Sequence, residues 1–290
     1  MSATPATLPA SPKPKGPSWF NASIIFYAIL ILMMLFFLVP VYVAVMTALK
    51  GMEEVSRGNP WSLPTSPTLA NFGNAWEQLK NGFINSVILS VPGVAISSVL
   101  GSLNGYVLSK WKFKGSNTIF TLLLFGMFIP YQSVLIPLVQ FLQTIGLFAT
   151  LPGLILVHVI YGIPIVTLIF RNYYAGVPNE LVESGTIDGA GFFGIYRHIV
   201  LPVSVPAFVV VLIWQFTAIW NEFLFAVTLN SNPATQPITV ALAGLGSSQA
   251  GTDYGMQMAG SLITALPTLL VYIFLSRYFI RGLLAGSVKG

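Results

Sequence analysis

The stretch Glu180–Pro202, ELVESGTIDGAGFFGIYRHIVLP, decides how the rest of the chain is read, because it is long and polar enough to be a docking element between membrane spans. Glu180, Glu183 and Asp188 make it the densest acidic patch in a chain with only 8 carboxylates, so it belongs in water. Pro178 fits the first turn of a helix, where its missing N–H costs nothing, and Glu180 and Glu183 then sit near the positive end of the helix dipole. Gly189-Ala190-Gly191 should end that helix, since two glycines so close together favour a bend. The spacing predicts a second short helix, Phe192 to Val200, with Phe192, Ile195, Tyr196 and Ile199 on one face, ended by Pro202.

Around this stretch the chain is apolar. Its 290 residues are 55% hydrophobic and 7% charged, against about 25% charged in a soluble domain, which makes it an integral membrane protein. There is no cysteine, so disulfides, thiolate metal sites and cysteine nucleophiles are excluded. The net charge of +5 does not point to nucleic acid, because the basic residues stand singly between apolar blocks. GxxxxGK[ST], HExxH and GxSxG are all absent, so the chain cannot cradle ATP by itself and offers no such hydrolytic centre. His198 has no acidic neighbour suited to catalysis; no catalytic or metal-binding residue is expected.

Uncharged intervals at 16–49, 81–109, 115–170, 198–221 and 254–276 give the span count. The third must be divided, because its 56 residues would make one helix about 84 Å long across about 30 Å of hydrocarbon. Six helices result, near 22–48, 83–107, 117–141, 151–170, 203–228 and 257–280. The first is too long for a cleavable signal. The expected organisation is a disordered cytoplasmic tail at 1–20, a first transmembrane helix within 21–48, an outer loop at 49–82, a five-helix core at 83–282 carrying the loop 172–202, and a cytoplasmic tail at 283–290.

Lysine and arginine set the orientation. With the N-terminus inside, the inner connections hold Lys13, Lys15, Lys110, Lys112, Lys114, Arg171, Arg197, Arg277, Arg281 and Lys289, whereas the outer ones hold Lys50, Arg57 and Lys80. This bias places both termini and Glu180–Pro202 in the cytoplasm. Residues 49–80 read as an irregular outer cap, and 229–256 as an outer connection around ITVALAGL, a run too short to span.

Polar side chains inside hydrocarbon are costly unless paired or wetted, so they mark a transport path. Tyr131-Gln132-Ser133 follows Pro130 and precedes Pro137, where the third span should kink. His158 lies in the fourth span, as an interhelical hydrogen bond or a ligand. In the fifth, Trp214 and Gln215 lie deep, and Trp220-Asn221-Glu222 near the outer mouth, as interfacial anchors or substrate contacts.

The pattern Glu183-Ser184-Gly185, three residues, Gly189, nine residues, Ile199, one residue, Leu201-Pro202 resembles the EAA loop of ABC importer permeases, E-A-A-x3-G-x9-I-x-L-P, with Ser184 and Gly185 in place of the alanines. Trp220-Asn221-Glu222-Phe223-Leu224-Phe225 is similar to the WN[DE]FLF element of carbohydrate permeases. Ile136-Pro137 with Gly146-Leu147 and Thr150, and Gly286-Ser287-Val288-Lys289-Gly290, resemble two further elements of that group. NYYAGVP from Asn172 and QPITVAL from Gln236 look closest to glucose/mannose-type subunits. The resemblance covers nearly everything after residue 20. It implies an all-α fold of six transmembrane helices, the type I, MetI-like permease fold, in the cytoplasmic (inner) membrane, and import of a sugar, glucose/mannose or a maltose/trehalose-like oligosaccharide.

The resemblance also implies partners: a second permease, two copies of an ABC ATPase, an external sugar-binding protein and membrane lipid. ATP and Mg would reside on the ATPase, and this chain would bind no cofactor. Glu180, Glu183, Ser184, Gly185, Asp188, Gly189, Ala190, Ile199, Leu201 and Pro202 would couple to that ATPase. An ion-driven secondary carrier is the alternative, disfavoured because the deep positions offer only His158 and, near the mouth, Glu222 as ionisable groups.

Overall fold

The computed structural model describes residues 19–111, 113–245, 247–248 and 251–287. Outside them lie the expected N-terminal tail up to residue 18, the last three residues of the GSVKG element, and Lys13, Lys15, Lys112 and Lys289. Among the described residues thirteen α-helices follow in chain order: α1 Trp19–Ala48, α2 Met52–Arg57, α3 Ala70–Lys110, α4 Ser116–Phe125, α5 Leu135–Thr144, α6 Leu151–Ala175, α7 Asn179–Ile187, α8 Phe192–Ile195, α9 Leu201–Val203, α10 Val205–Trp220, α11 Leu224–Leu229, α12 Ile238–Gly244 and α13 Tyr254–Ser287. The described strands are a short antiparallel pair, Ser247–Ser248 with Gly251–Thr252, ahead of α13.

Among the described residues four helices are long and apolar enough to cross a membrane, within α1, α3, α6 and α13, and two bent pairs bring the number to as many as six. The first pair is α4 with α5, bent by 90° across two 3-10 segments, Gly126–Phe128 and Tyr131–Val134. Pro130 stands at that corner in extended geometry, so the span expected as one kinked helix at 117–141 is two short helices at a right angle. The second bent pair turns by 77° at Ser204, where the segment 192–203 meets α10. Helical structure therefore continues past Pro202 to Val203. The expected fifth helix, 203–228, is also divided: α10 stops at Trp220 and α11 starts at Leu224.

The helix α3 begins at Ala70, inside the stretch expected as outer loop, and its 41 residues make it about 61 Å long. Its buried stripe Asn71, Ala75, Leu79, Gly82 and Ser86 recurs at helical spacing, while Glu77 sits on the exposed face. Asn71 donates to the carbonyls of Ala48 and Lys50 at 2.8 Å each, closing the end of α1 onto α3. In the cap between them, Glu54 of α2 accepts the Thr65 N–H at 2.7 Å, and that bond holds its carboxyl below the ordinary carboxylate range. Lys50 is buried there and donates to Asn59 O at 2.9 Å and Ser62 Oγ at 3.1 Å.

The centre of the core is α3 against α6, brought close by Gly101 and Gly105, four residues apart on α3, while Gly93 on the same helix approaches Ile219 of α10. A methyl group on Gly105 would lie 2.6 Å from Phe170 Cβ and 2.8 Å from the Arg171 backbone nitrogen, and one on Gly101 would collide with Val166. Within lipid, where hydrophobic transfer between helices is small, such close approach is what holds spans together. At the opposite extreme, α1 is exposed from Ser23 to Tyr42 and buries only its last residues.

Candidate coupling loop and translocation path

The helix α7 starts after Pro178 and ends in a left-handed glycine. Gly189 has φ +81° and donates to Thr186 O at 3.0 Å, and Ala190 N–H reaches back to Gly185 O at 2.9 Å. These two bonds are the 5→2 and 6→1 pair of a Schellman cap, which needs a residue free to adopt positive φ. The chain then turns into α8, continues through a π-helical segment Tyr196–Val200, and enters α9. Gly185 is buried against this second limb, where an added methyl would lie 2.5 Å from Ile199 Cδ1. Of the expected coupling residues, Gly185 therefore packs inward, and Ile199, Leu201 and Ala190 are half-buried. Glu180, Glu183, Ser184, Asp188, Gly189 and Pro202 are exposed.

Two apolar side chains missing from the sequence reading stand out on the same hairpin: Ile187 is 85% exposed and Phe193 71%. Ile187 lies four residues after Glu183, on the face that carries the acids. The inner side of the hairpin is tied to the spans. Ser102 Oγ of α3 lies 2.6 Å from Tyr174 Oη of α6 and 2.9 Å from Tyr196 Oη of the π segment. The Tyr106 ring lies 5.4 Å from that of Tyr196 and 5.0 Å from that of Phe192. Lys110, at the end of α3, donates to Val177 O and to Asn179 Oδ1, the latter at 2.8 Å. The hairpin is thus bonded to both α3 and α6.

The path candidates separate into two groups. Around Phe225 of α11 gather the rings of Tyr161 at 5.1 Å, Tyr131 at 5.3 Å and His158 at 5.9 Å. Glu222 closes this cluster: its two oxygens accept the N–H groups of Phe225 at 2.7 Å and Ala226 at 3.1 Å, capping α11. Its Oε2 lies 3.9 Å from His158 Nε2, a buried nitrogen with no hydrogen-bond partner. Tyr131, Gln132 and Asn221 are exposed at the margin.

The second group faces elsewhere. Gln215 is buried and fills the space left by Gly162, donating to His158 O at 3.4 Å. Trp214, its neighbour, points outward and is 56% exposed. Trp220 is neither interfacial nor open to a solute: it is 1% exposed, stacked on Phe216 at 5.5 Å, edge-on to Phe83 at 5.4 Å, and it donates to Thr264 O at 2.9 Å. The turn before α6 repeats the loop's device, with Gly146 at φ +71° and Leu147 N–H on Leu142 O at 2.8 Å.

Residues 93–283, which include the hairpin, both bent pairs and the cluster at Phe225, match the family described as binding-protein-dependent transport system inner membrane components. The chain belongs to that family. The permease is 40% identical over 279 residues to the xylose/arabinose import permease protein XacI of Haloferax volcanii, covering 89% of this chain and 90% of that one. It is 34% identical over 266 residues to the diacetylchitobiose uptake system permease protein NgcG of Streptomyces coelicolor, covering 91% and 86%. Its fold matches a chain in the crystal structure of a bacterial ABC transporter involved in the import of the acidic polysaccharide alginate, with a TM-score of 0.79 at 19% identity over 92% of this chain and 100% of that one. The permease is accordingly a transport component, not an enzyme.

Tyr161 and Phe225 belong to the cluster closed by Glu222 but are not among the path candidates expected from the sequence. Tyr161 follows His158 by three residues and so shares its helix face, a signal available from spacing. Trp220, by contrast, is a structural element of the permease. Trp220→Phe keeps the stacking on Phe216 and loses one hydrogen bond, for a stability loss of about 1 kcal/mol; Trp220→Ala leaves a cavity costing about 3–5 kcal/mol. Both should leave the apparent KM for the transported solute unchanged in whatever fraction remains folded, which thermal denaturation paired with initial-rate uptake would measure.

Proposed function

We propose that this permease is the membrane-spanning subunit of an ATP-driven importer of a neutral sugar, working with a second permease, two copies of an ABC ATPase and an external sugar-binding protein. The observation that carries the coupling half is the hairpin Asn179–Val203. Its exposed face offers Glu180, Glu183, Ile187, Asp188 and Phe193 to a partner, and its buried face is tied to α3 and α6 through Ser102, Tyr174 and Tyr196. Docking that differs between two ATPase states is then a differential binding energy applied to the spans. Orientation follows from the same reading, with the hairpin and both termini in the cytoplasm.

Sugar is favoured over other solutes by the relatives' names, which specify xylose, arabinose and diacetylchitobiose. The cluster of Tyr131, Tyr161, His158 and Glu222 adds to this, pairing aromatic faces with groups able to bond hydroxyls. Within that class, glucose or mannose stands beside pentoses and short oligosaccharides. A test uses vesicles containing the assembled complex, ATP on the hairpin side and the binding protein on the other, with radiolabelled xylose, glucose, mannose and a disaccharide offered in parallel. ATP-dependent accumulation of one of them, indifferent to an ionophore, is the expected result. Uptake without ATP that collapses with the ionophore would instead make the permease an ion-coupled carrier.

A further inference from the structure

Beside the hairpin, between the end of α3, the start of α4 and the end of α6, lies a cavity of about 510 Å³. Lys110 and Arg171 line it together with Ser116, Asn117, Asn172 and Asn179. Neither cation is neutralised: among the described residues no carboxylate lies within 4.0 Å of either, and Glu180, the acid that Lys110 feels, makes no ion pair with it. Both side chains are held in place by neutral acceptors. Lys110 Nζ bonds Val177 O and Asn179 Oδ1, leaving one of its three protons without a partner among the described residues. Arg171 donates from Nη2 to Asn117 Oδ1 at 3.1 Å and from Nε to Leu108 O at 3.4 Å, while its guanidinium carbon lies 3.9 Å above the Phe120 ring. The remaining guanidinium protons have no partner among the described residues. The first turn of α4, which has no side-chain cap, opens onto the same space and adds the positive end of a helix.

Two fixed, unpaired cations at one polar cavity call for an anion, and the surroundings say which kind. From Ser116 and Asn117 the exposed face of α4 continues directly into Ile119 (50% exposed), Leu122 (67%) and Phe125 (66%), an apolar strip leading away from the polar mouth. A soluble anion has no use for such a strip, whereas an acyl chain does, and basic pockets between spans at the membrane surface suit lipid headgroups. We propose that this cavity binds the phosphate headgroup of an anionic phospholipid, with its acyl chains laid along α4. Because Lys110 also holds Val177 and Asn179, the lipid would brace the base of the hairpin. The inference needs only that the cavity lies at the membrane surface, and so stands apart from the assignment of substrate and motor.

The test is thermal unfolding of the full-length permease in nanodiscs of phosphatidylcholine alone, of phosphatidylcholine with phosphatidylglycerol, and of phosphatidylcholine with free inorganic phosphate in the buffer. Phosphatidylglycerol should raise the midpoint, free phosphate should not, and the shift should vanish in Lys110→Gln/Arg171→Gln. Those side chains also make internal bonds, so Asn172→Glu, which places a negative charge at the mouth without removing any bond named above, is the second variant and should lose the shift too. Equal midpoints in both lipid mixtures, or a shift retained in Asn172→Glu, would overturn the proposal. A shift reproduced by phosphate alone would assign the cavity to a soluble anion and overturn the lipid.

Discussion

Gly189→Pro leaves the permease in the membrane and removes ATP-driven uptake. Proline fixes φ near −65° where the loop needs +81°, and it lacks the N–H that Gly189 gives to Thr186. The neighbouring bond from Ala190 to Gly185 depends on the same geometry and is lost with it. Two capping bonds at about 1 kcal/mol each, with a further 1–2 kcal/mol for the misplaced backbone, give about 3–4 kcal/mol, or about a hundredfold to a thousandfold in docking affinity. Gly189→Asn is the informative companion, since asparagine tolerates positive φ and should keep most of the activity. Glu183→Lys, which reverses one charge on the exposed face and disturbs no packing, should also abolish uptake. The measurement is initial uptake rate normalised to permease in the membrane fraction; normal rates in Gly189→Pro would remove the hairpin from the mechanism.

Gly105→Val acts on the fold itself. The added carbon atoms meet Phe170 Cβ and a backbone nitrogen of α6, neither of which is the free end of a flexible side chain, so α3 and α6 must separate. Overpacking costs about 1–3 kcal/mol at a typical site, and more where backbone must move. The expected result is loss of most folded permease from detergent extracts, seen as aggregation on size-exclusion chromatography. Gly73→Ala, on the same helix but facing open space, should leave the yield unchanged. If Gly105→Val behaves like Gly73→Ala, the close approach of α3 and α6 does not hold the core together.

Much of this was legible from the chain. The end of α7 at Gly189 and the corner at Pro130 follow from residues whose backbone preferences are strong enough to act locally. The start of α3 was hidden because counting uncharged intervals stops at Lys80 and Glu77, whereas those side chains lie on one face while Asn71, Ala75 and Leu79 are buried on another. Periodicity, not charge, carried that information. Trp214 and Trp220 could not be told apart by composition, since an exposed and a core-facing indole both sit among apolar residues; only packing separates 56% exposure from 1%. Ile187 and Phe193 escaped for the same reason: in a chain this apolar, another Ile or Phe carries no signal until its surroundings are known.

The length of α3 has a mechanical consequence. Near its middle, Asn85 donates to Ala234 O and Gln236 O, and Ser86 accepts the Ile238 N–H. At the far end of the same helix Ser102 and Lys110 grip the hairpin. The 25 residue steps from Asn85 to Lys110 span about 38 Å, so a tilt of about 5° about one of those points carries the other through about 3 Å. Pressure on the segment 234–238 and a pull on the hairpin are then two hands on one lever, and neither can shift without the other registering it.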